Sequence, residues 1–144
     1  MRKYVWLLVA LIILLDQSTK FLAVARLTLN SPNPVIPNVF NLTLIYNTGG
    51  AFGIFRDKSM FFISLSILAI VYILFYLKIK KYTLWKEIAI GFILGGVAGN
   101  LIDRARFGYV IDFLDFRIWP IFNIADSAIT IGVGLLIVLL FLKK

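Results

Sequence analysis

Four runs of the chain, Tyr4 to Ala25, Met60 to Leu77, Leu84 to Ile102 and Ile124 to Leu142, are almost wholly apolar. A hydrocarbon core is ~30 Å thick and takes roughly 20 helical residues to cross, which is the scale of each run. This feature constrains the fold more than any other, because a lone segment in lipid can satisfy its own backbone hydrogen bonds only as a helix. Composition agrees, with 61% of 144 residues hydrophobic against roughly 45–50% in soluble domains. The expected fold class is an all-α membrane protein of four transmembrane helices, one domain over residues 1–144 with no repeat or low-complexity tract.

The net charge of +8 could suggest nucleic acid, but its distribution points to a membrane instead. Counted outward from a cytoplasmic N-terminus, Arg2, Lys3, Lys78, Lys80, Lys81, Lys86, Lys143 and Lys144 face Glu87 alone on one side, a balance of +7. The other side sets Lys20, Arg26, Arg56, Lys58, Arg104, Arg106 and Arg117 against Asp16, Asp57, Asp103, Asp112, Asp115 and Asp126, a balance of +1. Basic residues concentrate in cytoplasmic loops, so both termini are expected in the cytoplasm. Ala23-Val24-Ala25 after the first apolar run resembles a signal-peptide cleavage site. The doubly charged "DQSTKFL" before it suits a retained helix better.

The chain contains neither Cys nor His, which excludes disulfides, thiolate nucleophiles, Ser-His triads, His-based zinc sites and haem ligation by His. The polar residues that interrupt the apolar runs therefore carry the information. Asp16 and Lys20 lie in the outer half of the first helix, Asn47 in the first outer loop, and Asn100, Asp103 and Arg104 at the end of the third helix. Asp112 and Asp115 lie in the second outer loop, and Asn123 and Asp126 begin the fourth helix. With the alternating topology, all converge on one face of the membrane.

Structural roles are available to each. Asp16 and Lys20 stand four apart, as in a helical ion pair. Asn123 with Asp126 reads as an N-cap with an acid in the first turn, and Arg104 as a counter-ion or a fork for a carbonyl or carboxylate. Gly91, Gly95 and Gly99 recur every four residues, a face for close helix packing. A phosphate loop is not expected, because "GGVAGN" lies inside an apolar run and lacks the Gly-Lys-Ser/Thr ending. The chemistry most compatible with the whole set is two carboxylates sharing a proton, one as base and one as acid around a water. Asp112 and Asp126 are the candidates, since the stretch between them can turn back at Pro120.

In the first outer loop, Pro32, Pro34 and Pro37 exclude a helix, and "FNLTLIYN" (Phe40 to Asn47) reads as a short strand region before Gly49-Gly50. The second, Arg106 to Phe122, is aromatic and β-prone until Pro120.

Five blocks together, "DQSTK" (16–20), "NTGGAFG" (47–53), "GGVAGNLIDR" (95–104), "VIDFLDF" (110–116) and "FNIADS" (122–127), resemble the lipoprotein signal peptidase (signal peptidase II) family. The resemblance spans nearly the whole chain in the right order. It implies an intramembrane aspartic endopeptidase of the bacterial cytoplasmic (inner) membrane. Such an enzyme removes the signal peptide of prolipoproteins before a diacylglyceryl-modified cysteine. It implies Asp112 and Asp126 as the catalytic pair, with Asp16, Lys20, Asn47, Asn100, Arg104 and Asn123 supporting the site or holding substrate. It further implies a small extracytoplasmic β-cradle and a short surface helix in the first outer loop, and an active site near the outer face. Gly50 stands where an Ala is more familiar. No metal or cofactor is expected; the partners expected are prolipoproteins and membrane lipids, not nucleic acid, and the chain is expected to be a monomer. The alternatives are a small proton-coupled transporter, which would need an acid near the midplane with water on both sides, and a structural assembly subunit in which the acids are dispensable.

Overall fold

The computed structural model describes residues 3–50, 57–79 and 82–142. Arg2, Arg56, Lys80, Lys81, Lys143 and Lys144 of the charge asymmetry, and residues 51–53 of the "NTGGAFG" block, lie outside the described residues.

Four helices, α1 (Lys3–Arg26), α2 (Ser59–Ile79), α3 (Leu84–Phe107) and α4 (Ile124–Phe141), alternate in direction. Each is long and apolar enough to cross a membrane. Large apolar side chains such as Phe21, Leu68, Phe75 and Leu140 point outward, as expected where the solvent is lipid. Trp6 and Trp85 lie near one end of the bundle and Trp119 near the other, the interfacial positions aromatic residues favour. Helix α3 continues past Ile102, where the apolar run stops, because the first charge beyond it, Asp103, is buried and paired with Lys20. Gly108 closes the helix with φ of 80° in the left-handed region.

Small residues draw the helices together. A Cβ at Gly95 would fall 2.9 Å from the Ile12 Cβ, and one at Gly99 would fall 2.7 Å from an Asp16 carboxylate oxygen. The Gly91-Gly95-Gly99 face therefore packs on α1 as the spacing predicts. A second close approach, not read from the sequence, presses Gly96 of α3 on the Ala125 carbonyl and Gly132 of α4 on the Ala89 carbonyl. Away from the polar residues, Val5, Val9, Leu77, Ile90 and Leu94 form an apolar core, with Ile70, Ile73 and Leu74 of α2 against it. Glu87, the lone acid counted on the cytoplasmic side, is buried in the first turn of α3.

At the other end lies a three-stranded antiparallel sheet in the order β1 (Pro32–Ile36), β2 (Phe40–Asn47) and β3 (Val110–Asp115). β2 coincides with the strand region expected at Phe40–Asn47. β1 was not expected, because its prolines cannot donate to a ladder; it is an edge strand, where Pro is tolerated. β3 ends at Asp115, short of the β-prone run to Pro120: Arg117 has φ of 65° and turns the chain. Phe122 then returns to β3, donating to the Leu114 carbonyl and accepting from the Phe113 and Leu114 amides. Leu44, Ile111 and Phe113 pack the sheet onto Ala23 of α1. Among the described residues of the loop between β2 and α2 there is no helix.

Candidate active site

At the sheet end of α1, the Asp16 and Lys20 side chains are completely buried, which an uncompensated charge could not sustain. An ammonium has three hydrogens to donate, and Lys20 uses all of them. Its Nζ lies 2.8 Å from Asp16 Oδ2, 2.8 Å from Asp103 Oδ2 and 3.1 Å from Asn100 Oδ1. The i, i+4 ion pair read from the sequence is present, and it extends across to α3. Asp103 also accepts from the Ile111 amide at 3.1 Å and from Gln17 Nε2 at 2.9 Å. It thus ties α1 and α3 to the strand that carries Asp112.

The start of α4 is held the same way. Asn123 is its N-cap, with Oδ1 accepting from the Asp126 amide at 2.9 Å. Asp16 Oδ1 reaches from α1 to accept from the Ala125 amide at 2.9 Å. Two of the amides that a helix N-terminus leaves without partners are satisfied this way, and a carboxylate there suits the helix dipole.

Asn123 does more than cap. Its Nδ2 donates to Asp112 Oδ1 at 2.6 Å and Asn100 Oδ1 at 3.1 Å. Asn100 Oδ1, already accepting from Lys20, can only accept, so its Nδ2 turns to Asp126 Oδ1 at 2.7 Å. Two amides therefore link the two carboxylates in the order Asp112, Asn123, Asn100, Asp126. On its other side Asp112 Oδ2 accepts from Asn47 Nδ2 at 3.0 Å. Burial, with the Asp126 charge, pushes the Asp112 carboxyl up to about 7, against the hydrogen bonds from Asn47 and Asn123 and the charge of Lys20.

Asp112 and Asp126 line one cavity of about 360 Å³, together with Asn47, Asn100, Arg104 and residues 119–122 of the returning loop. Arg104 donates from Nη2 to the Gly49 carbonyl at 3.1 Å and lies 4.9 Å from the centre of the Phe62 ring. Its buried Nε has no partner among the described residues. All eight site residues singled out in the sequence meet here: Asn47, Arg104, Asp112, Asn100 and Asp126 at the cavity, and Asp16, Lys20 and Asn123 behind it. Gln17 and the bracing role of Asp103 were not read from the sequence, since their partners lie on another helix. Asp115, read from the sequence as an outer-loop acid, is instead the half-buried last residue of β3, outside the cavity, accepting from Thr43 Oγ1 at 2.7 Å, the Arg117 amide at 2.9 Å and Asn41 Nδ2 at 3.5 Å. Against the upward push of burial, these bonds and the Arg117 charge hold its carboxyl below the usual range.

Fold and site together define a multi-pass membrane protein whose two linked carboxylates open on one cavity where the helix bundle meets a small sheet. The sequence model of the signal peptidase (SPase) II family matches residues 8–142. The lipoprotein signal peptidase of Halothermothrix orenii is 44% identical over 140 residues, 97% of either chain. That of Brevibacillus brevis is 46% identical over 140 residues, covering 95% of this chain and 94% of its own. A solved bacterial membrane enzyme, 35% identical, superposes with a TM-score of 0.91 over 99% of this chain and 92% of that one. The chain belongs to the signal peptidase II family and is a peptidase of the bacterial membrane.

Proposed function

We propose that the chain is an intramembrane aspartic endopeptidase that removes the signal peptide of prolipoproteins, cutting before a diacylglyceryl-modified cysteine. The observation that carries this reading is the pair Asp112 and Asp126, lining one cavity and coupled through Asn123 and Asn100. In this scheme Asp112, whose carboxyl is pushed up to about 7, serves as the acid and Asp126 as the base. Asp126 takes a proton from water as its oxygen adds to the scissile carbonyl, and Asp112 protonates the departing amine. The amide of Asn100 is committed to Lys20, Asn123 and Asp126. Arg104, at the cavity with an Nε that has no partner among the described residues, is therefore the group to steady the charge developing on the carbonyl oxygen. No step in this scheme calls for a metal or cofactor.

In this reading the sheet end faces the extracytoplasmic side, both termini lie in the cytoplasm, and one chain suffices as the working unit. A proton-coupled transporter fits less well. The cavity's carboxylates lie at one end of the bundle, and an apolar core of Val5, Val9, Ile90 and Leu94 occupies the path toward the other.

The test is purified protein in micelles with a peptide carrying a diacylglyceryl cysteine. Cleavage before that cysteine is expected from the parent and not from Asp126→Asn. A variant that turned over at the parent rate would reduce Asp126 to a first-turn helix acid and end the aspartic assignment.

A further inference from the structure

Beside the polar cavity, the face of α4 that carries Ser127 and Ile131 and the loop that carries Phe116, Ile118 and Trp119 bound an apolar groove of about 520 Å³. Pockets of roughly 300–1,000 Å³ hold small-molecule groups. Groove and cavity share Trp119, Phe122, Asp126 and Thr130 in their walls, so one runs into the other across Asp126. We propose that this groove takes one acyl chain of the substrate's diacylglyceryl group and thereby sets which peptide bond lies at Asp126. The inference rests on the peptidase reading above and adds to it where the lipid sits.

Three observations support it. The groove opens to the bilayer, since Ile131, on a membrane-spanning helix, is 53% exposed and Ile118 is 93% exposed. A chain can thus slide in sideways without crossing a polar surface. The groove's hydroxyls are turned away from it: Ser127 donates to the Asn123 carbonyl at 3.0 Å and Thr130 to the Asp126 carbonyl at 2.9 Å. Further along the same face, three and seven residues on from Ile131 and Ser127, Gly134 has nothing within 4 Å of where a Cβ would stand, so no side chain of that residue closes the groove's inner end. A second apolar groove, of about 220 Å³ between Leu22, Leu27, Leu42 and Phe113, shares no lining residue with the cavity of the two carboxylates.

Lipid tails are as apolar as the groove, so moving a chain from one to the other gains little by desolvation. What the groove contributes is alignment: a chain lying along α4 fixes the glyceryl cysteine, and with it the bond before it, against Asp126. Dependence on chain length is therefore the signature, more than affinity.

The experiment compares kcat/KM for peptides carrying dihexanoylglyceryl and dipalmitoylglyceryl cysteine. In the parent the long-chain peptide is favoured. Ser127→Phe and, independently, the lipid-facing Ile131→Trp fill the groove and lower the long-to-short ratio by about tenfold, the scale of overpacking a filled apolar site. Gly134→Phe, deeper along the face, lowers the ratio only for chains long enough to reach it. Leu22→Phe, in the other groove, leaves it at the parental value. A parental ratio in both Ser127→Phe and Ile131→Trp overturns the proposal, as does a fall confined to Leu22→Phe or a parent indifferent to chain length. A folded parent that cleaves no lipidated peptide instead refutes the peptidase reading itself, and the groove with it.

Discussion

At the scale of single residues, the site turns on hydrogen-bond donors with nowhere else to go. Lys20 fixes the oxygen of Asn100, which obliges its amide nitrogen to face Asp126, while Asn123 and Asn47 hold Asp112 from both sides. If Asp112 and Asp126 act as a unit, Asp112→Asn and Asp126→Asn each lower kcat by ~10²–10⁴, the scale of general acid–base catalysis. The double variant is then hardly worse than either. Equal additive losses in single-turnover rates would mean two independent roles. Asp57→Asn, at an exposed position, keeps the parental rate. Asp115→Asn keeps the chemistry but loosens the sheet by about 1 kcal/mol, because Thr43 loses a charged acceptor. The raised Asp112 carboxyl gives activity a direction with pH. An acid that must be protonated makes kcat/KM fall as pH rises through about 7. Asn47 stabilises the ionised form, so Asn47→Ala moves that alkaline limb upward, by up to about one pH unit. A downward movement in the pH–rate profile would contradict the assignment of Asp112 as the acid.

At the scale of elements, glycine decides how closely the helices approach. A methyl group at Gly96 would meet the Ala125 carbonyl and Ile129, both at the base of α4, whereas one at Gly134 meets nothing. Gly96→Ala is expected to lower the midpoint of thermal unfolding in detergent and to reduce activity, by displacing the turn that carries Asp126. Gly134→Ala is expected to leave packing untouched and to gain up to ~1 kcal/mol of helix propensity. Similar unfolding midpoints for the two would show that helix spacing at Gly96 does not position the site. The first of these packing faces was legible, because Gly91, Gly95 and Gly99 keep a strict four-residue period. Gly96 and Gly132 were not, because a single glycine on each helix, meeting a carbonyl of the other helix, has no period to detect. The same distinction runs through the rest of the chain. The Asp16–Lys20 pair is local and could be read, but the extension from Lys20 to Asp103 needs helices separated by more than eighty residues to be placed side by side. β2 announced itself by β-branched and aromatic residues, while β1 was hidden because proline propensity argues against a strand everywhere except at an edge.

At the scale of the whole molecule, the arrangement has a direction that the bilayer must read. Lys78 and Lys86 flank the end at which α2 finishes and α3 begins, with Glu87 the nearby acid. At the sheet end, Arg26, Lys58, Arg104, Arg106 and Arg117 are interleaved with Asp57, Asp103, Asp112, Asp115 and Asp126. Lys and Arg near the ends of the spans bias insertion, and two of those at the sheet end are held inside the protein: Lys20 is buried between two carboxylates, and Arg104 lines the cavity. On the proposed peptidase reading, the opposite end stays in the cytoplasm and the sheet faces outward, where a signal peptide's outer end would present its scissile bond. The native sequence has no cysteine, so single cysteines report without background. Ser31 and Thr83 suit them, because both are exposed, one beside β1 and the other at the start of α3, and Thr83 makes no side-chain capping bond. In intact cells an impermeant thiol reagent is expected to label Ser31→Cys and to spare Thr83→Cys until the membrane is opened. The reverse pattern would put the two carboxylates on the cytoplasmic side. A peptidase acting on exported prolipoproteins could not then work from this site.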